Sequence, residues 1–84
     1  MELKWSEVKN QLLKETRGIC FEMIEEAIAE GHFVGPEVNP VHEWQHRIIV
    51  NLDGYPYVVP FVIDEKGDWF LKTAYPDRKQ KGRV

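Results

Sequence analysis

The sequence has a single cysteine, Cys20, so no intramolecular disulfide is available to it. The stapled frameworks of small secreted domains are excluded, and a reducing cytoplasm is the expected compartment. No apolar run approaches the roughly 18 residues that a membrane span needs. The opening MELKWSEVKN lacks the basic region and continuous apolar stretch of an export signal, so neither export nor a membrane association is expected. Internal repeats, low-complexity segments, a glycine-rich phosphate loop and a linker long enough to separate domains are also missing. At 84 residues the chain can hold one core, and residues 1–84 read as one domain.

The charge that is present is unevenly spread. Net charge is −3, with four basic and nine acidic side chains in residues 1–43 and seven basic and five acidic in residues 44–84. From Lys72 onward, Lys72, Arg78, Lys79, Lys81 and Arg83 oppose only Asp77. This balance argues against a protein that coats nucleic acid over its whole surface, and it directs any phosphate-bearing ligand to the C-terminal half. Residues 76–84 read as a basic C-terminal tail.

Ser6 precedes Val8, Leu12 and Leu13 at helical spacing, with Lys14 and Arg17 near the end and Gly18 just beyond, which predicts a helix of about three turns. A second helix is predicted from about Phe21 to Glu30. Its apolar stripe is Phe21, Ile24, Ala27 and Ile28, its other side is glutamate-rich, and Gly31 is its stop signal. Phe33 and Val34 begin a short strand before a loop marked by Gly35, Pro36 and Pro40. His46 to Leu52 and Tyr55 to Ile63 then read as a hairpin about Asp53-Gly54, followed by a third strand from Trp69 to Tyr75.

Pro56 and Pro60 each remove one ladder hydrogen bond. With a two-residue turn, Leu52 pairs with Tyr55 and both proline nitrogens face away from strand 46–52. The hairpin is therefore expected intact, and the pairing of strand 69–75 interrupted. The same register sets Ile48, Val50 and Leu52 on one face and Arg47 and Ile49 on the other. Both faces carry apolar groups and two helices cover one, so the second is expected to meet another chain or to form a functional surface.

His42-Glu43-Trp44-Gln45-His46 spells the H-E-x-x-H zinc pattern, which requires a helix. Here it follows Pro40 and runs straight into a strand pattern, so a loop histidine pair is the preferred reading and no metal or other cofactor is expected. Cys20 reads as a half-buried small residue at a helix start rather than a nucleophile. The tryptophans Trp5, Trp44 and Trp69 and the tyrosines read as core or rim residues.

Arg47 projects from a strand, Lys72 interrupts the Phe70/Ala74 face, and Tyr75, Arg78 and Lys79 follow at the strand's exit. Gathered cations of this kind can hold a phosphodiester and stabilise its transition state. The competing reading is a solvated basic tail with Arg47 in a structural pair.

Trp5-Ser6-Glu7-Val8-Lys9 resembles the W-D-x-x-K opening of the BrnT-like toxins of bacterial type II toxin–antitoxin systems. Arg17-Gly18-Ile19-Cys20-Phe21-Glu22 is similar to that family's H-G-V-S-F-E turn, Arg47 falls where it has an arginine opening a strand, and Phe70 to Lys79 resembles its closing R-I-I-S-A-R segment. Ser6, Leu12 and Lys72 stand where the family has aspartate, asparagine and arginine. The resemblance implies a RelE-like architecture, a metal-independent endoribonuclease activity on RNA, and neutralisation by a small DNA-binding antitoxin.

The expectation is thus an α+β domain, two N-terminal helices packed on an antiparallel sheet of three or four strands. Arg47, Lys72, Arg78 and Lys79 are expected to contact phosphate and transition state, with Lys81 and Arg83 extending the RNA contact. Tyr75 or His46 handles protons. The rival expectation is a non-enzymatic protein-interaction module of a small bacterial complex, docking through the second sheet face.

Overall fold

Ser6 and Gly18 bracket the first helix. The Ser6 hydroxyl accepts from the Lys9 amide at 3.3 Å, and Gly18 ends the helix in the left-handed region at φ 67°. The structure is a computed structural model describing all residues from Met1 to Val84. Its elements are β1 (Leu3–Trp5), α1 (Glu7–Arg17), α2 (Phe21–Ala29), β2 (Phe33–Val38), β3 (His46–Leu52), β4 (Tyr55–Ile63), β5 (Trp69–Leu71) and β6 (Tyr75–Pro76), followed by a 3-10 turn over Arg78–Gln80. The second helix closes as the sequence predicts: the Gly31 and His32 amides donate back to the Ile28 and Ala27 carbonyls at 3.1 and 2.9 Å.

Cys20 occupies the N-cap position of α2 but makes no side-chain cap bond. Asn10, buried on α1, does that work from the neighbouring helix. Its Oδ1 accepts from the Phe21 amide and its Nδ2 donates to Glu22 Oε1, both at 2.8 Å. The start of α2 is therefore fixed against α1 by one side chain using both its polar atoms, and the bond from Asn10 holds the Glu22 carboxyl below the usual range.

The molecule is α+β, with two helices and an open six-stranded sheet of order β1-β5-β4-β3-β2, β6 pairing with β4 off that path. This corrects the expected three or four antiparallel strands, because β1 joins β5 in parallel and β6 is a separate strand. Both additions are too short, three and two residues, to show an alternating pattern. The β3–β4 hairpin runs without interruption from Leu52↔Tyr55 to His46↔Phe61, as the turn dictates. The expected break falls on the other side of β4, where β5 leaves after Leu71 and β6 returns at Tyr75. The two prolines still accept there, Pro60 from the Lys72 amide at 2.8 Å and Pro56 from the Asp77 amide at 3.1 Å. They cannot donate in return.

β2 extends further than predicted, with a register shift between Val34 and Glu37. Gly35 sits in this shift at φ 109°, a backbone conformation that residues with a Cβ rarely adopt, which favours glycine at this position.

Leu13, Phe21 and Ile24 from the helices meet Ile48, Val50, Val59, Phe61 and Leu71 in the main core. Trp5 stacks on Phe21 and Trp69 on Phe61 with ring centroids 5.5 and 4.0 Å apart. On the second face Ile49 and Val58 are also fully buried, outside that core. The chain's own C-terminal segment accounts for it: the 3-10 turn rests on β4, Gln80 is buried, and Arg83 reaches Glu37. Residues 76–84 are docked rather than a free tail, and no second chain is needed over Ile49 and Val58.

Candidate functional site

The interruption beside Pro60 leaves a gap in the sheet, and Lys72, Thr73 and Tyr75 line it. Opposite them lies the loop before β3, which Arg47↔Pro60 pairing brings alongside the same proline. Together they enclose a cleft of about 250 Å³, with Lys72, Thr73 and Tyr75 on the strand side, Asn39, Val41, His42 and Gln45 on the loop side, and Pro60 between. No carboxylate lines it.

The loop is held by its own backbone and two buried amides. Asn39 N–H donates to the Gln45 carbonyl at 3.0 Å and Gln45 N–H to the His42 carbonyl at 2.8 Å. Asn39 Nδ2 donates to Gln45 Oε1 at 3.3 Å, and Asn39 Oδ1 accepts from the Val41 amide at 3.0 Å. The H-E-x-x-H segment is therefore a turn entering a strand, as its context suggests. The turn at Glu43-Trp44 separates its imidazoles: His42 lines the cleft, whereas His46, the first residue of β3, lies on the helix side of the sheet, stacked on Phe61 at 5.7 Å. No three His, Cys, Asp or Glu side chains group so as to hold a metal ion.

Of the two residues considered for proton transfer, Tyr75 is in the cleft with Lys72 and His46 is not. Lys72 is exposed, its ammonium 5.3 Å from the Phe70 ring centroid. Sequence reasoning reads His42 as one of a loop histidine pair, in preference to a zinc ligand, and misses its place here. The signal that finds it is the register itself, since the loop entering β3 at His46 must lie near Pro60, the partner of Arg47, and hence near Lys72.

The arginines are arranged differently from expectation. Arg47, with 14% of its side chain exposed, sets Nη2 2.6 Å and Nε 2.7 Å from Glu37 Oε2. Arg83 sets Nη2 2.6 Å from Oε1 of the same carboxylate. Arg83 and then Arg47 bring the Glu37 carboxyl down to about 2. The structural pairing considered for Arg47 is therefore present, and Arg83 is engaged as well.

Arg78 and Lys79 are exposed on the 3-10 turn. Asp77 caps that turn, accepting from the Lys79 amide at 3.1 Å and from Gln80 Nε2 at 3.2 Å, and those bonds, with Arg47 nearby, keep its carboxyl below the usual range. Lys81 lies with its ammonium 5.5 Å from the Tyr55 ring centroid.

Two other depressions offer less chemistry. The larger, about 430 Å³, is lined by His32, Phe33, Asn51 and Arg83, but Arg83 is committed to Glu37. The other, about 170 Å³, carries Glu26, Glu30 and Asp53 and would repel an anion. No helix is long and apolar enough to cross a membrane. No protein-family model, curated protein or solved structure matches the chain.

Proposed function

We propose that the chain is a metal-independent endoribonuclease, the toxin of a bacterial type II toxin–antitoxin pair, acting in the cytoplasm. The observation that carries this reading is the carboxylate-free cleft in which Lys72, His42 and Tyr75 meet. A cation, an imidazole and a phenol are the groups a phosphodiester transesterification needs. In that reaction the ribose 2′-oxygen attacks phosphorus while the bond to the 5′-oxygen breaks, leaving a 2′,3′-cyclic phosphate and a 5′-hydroxyl. His42 takes the 2′-hydroxyl proton, Tyr75 protonates the departing oxygen, and Lys72 offsets the charge that builds on the phosphoryl oxygens. Arg78 and Lys79, exposed beyond Tyr75, hold flanking phosphates.

The RelE-like architecture and the small DNA-binding antitoxin belong to the same proposal, supported by the family-like segments and by two N-terminal helices against a largely antiparallel sheet. Docking of a partner over the whole second face is less well supported, because the C-terminal segment occupies part of it.

The test is induced expression in bacteria together with RNA cleavage by the purified chain. Growth arrest is expected. Cleavage should persist in excess chelator, leave cyclic phosphate ends, and stop when the scissile ribose is 2′-deoxy. Failure to arrest growth and to cut RNA would overturn the reading in favour of an interaction module.

A further inference from the structure

We infer that Trp44 is a base-stacking platform beside the cleft, and that the ligand it selects is single-stranded RNA whose base next to the held phosphate lies on the indole. This rests on the ribonuclease reading and adds the form of the substrate to it.

The three tryptophans are treated differently by the fold. Trp5 and Trp69 stack on core aromatics, whereas Trp44 is 69% exposed. An indole is among the largest apolar groups a domain can bury, and this one stands in water in the same loop as Val41, itself 73% exposed, so the loop presents an apolar surface to solvent. Sequence reasoning places it in the core or at its rim; the structure does not.

Trp44 is also presented on a braced support. Its turn is closed by the Gln45 amide on the His42 carbonyl, and its base is the buried Asn39–Gln45 amide pair. A side chain held out on such a turn loses little freedom when a ligand arrives.

The neighbours then say what kind of ligand. The His42 ring lies 5.6 Å from the indole, tilted 46° to it, and lines the cleft. Lys72 stands across that cleft, and Glu43, in the same turn as Trp44, does not line it. A cation-bearing cleft one ring away from an open aromatic face matches a ligand that joins a phosphate to an unstacked base. A duplex does not fit, since its bases are already stacked on each other.

The experiment uses the full chain with a short RNA carrying 2′-O-methyl groups throughout, which binds but cannot be cut. Affinity is read by anisotropy and by tryptophan fluorescence. Trp44→Ala is expected to weaken binding by about 5- to 150-fold, Trp44→Phe to recover most of it, and neither to move the unfolding midpoint. Single abasic positions walked along the RNA should reveal one at which the wild type loses the same factor and Trp44→Ala loses nothing more. Equal binding by wild type and Trp44→Ala overturns the platform while leaving the ribonuclease reading intact. No binding by the wild type overturns the platform, and failure to cut the unmodified RNA as well overturns both. A wild-type dimer that Trp44→Ala disperses also overturns the platform, and assigns Trp44 with exposed Val41 to a protein contact.

Discussion

Arg83 and Glu37, 46 residues apart in sequence, meet in an ion pair with Nη2 2.6 Å from Oε1. The pair fastens the C-terminal segment over the second face of the sheet, and the other oxygen of the same carboxylate holds Arg47. Two guanidiniums on one carboxylate make Glu37 the anion on which this side of the molecule depends.

That dependence should be visible in acid. The Glu37 carboxyl is lowered from 4.5 to about 2, so its contribution is fully present above about pH 4.5 and is lost as pH falls toward 2. With Arg83 well exposed, screening limits this to about 1–2 kcal/mol. In urea unfolding, Glu37→Gln should be less stable than wild type near neutrality, and the gap should close in strong acid. A gap that is constant with pH would contradict the pairing.

Arg47 and Lys72 should separate stability from chemistry. Arg47→Ala leaves Glu37 half satisfied and should cost about 1–3 kcal/mol of stability. Lys72 is exposed and should be removable without unfolding. Lys72→Ala is expected to slow RNA cleavage by about 10² to 10³, or 2–4 kcal/mol. Arg78→Ala with Lys79→Ala should also slow it; unchanged toxicity in that pair would mark both as solvated charges. Single-turnover rates at matched folded protein decide this.

Asn10→Ala should leave the buried Phe21 amide without an acceptor and Glu22 without its donor. A loss of about 1–3 kcal/mol is expected, read as a lower urea midpoint with an unchanged slope. Asn10→Ala as stable as wild type would mean that α2 finds another cap.

Amide exchange should follow the prolines. The β3–β4 hairpin is an unbroken ladder, whereas β4 offers β5 and β6 only the donors that Pro56 and Pro60 leave. Residues 48–52 and 55–59 should therefore exchange more slowly than Phe70 and Tyr75. Equal protection of all these strands would contradict it.

What the sequence discloses about this fold depends on how local each cause is. Ser6, Gly18 and Gly31 act within a few residues, so the helix ends are legible, and Asp53-Gly54 sets the register of a whole hairpin. β1 escapes notice because three residues show no period and their partner, β5, is far along the chain. The docking of residues 76–84 is not legible, because nothing near Arg83 announces that it has a carboxylate waiting at Glu37. In the cleft, Lys72 and Tyr75 are legible from charge and strand position. His42 becomes so only when the register is carried back from Pro60, and Trp44 only once its exposure is known.

The parallel seam between β1 and β5 also bears on the order in which a ribosome delivers this molecule. Leu3 to Trp5 leaves the ribosome well before its strand partner, Trp69 to Leu71. The helices between must wait, their apolar stripes without the sheet they are to cover, until β3 and β4 have followed. At roughly 5–20 residues per second that interval lasts seconds. β1 can therefore be stitched in only once β5 has emerged, shortly before Lys72 and Tyr75 complete the cleft, so a nascent chain stalled before Trp69 carries neither the finished sheet nor the site.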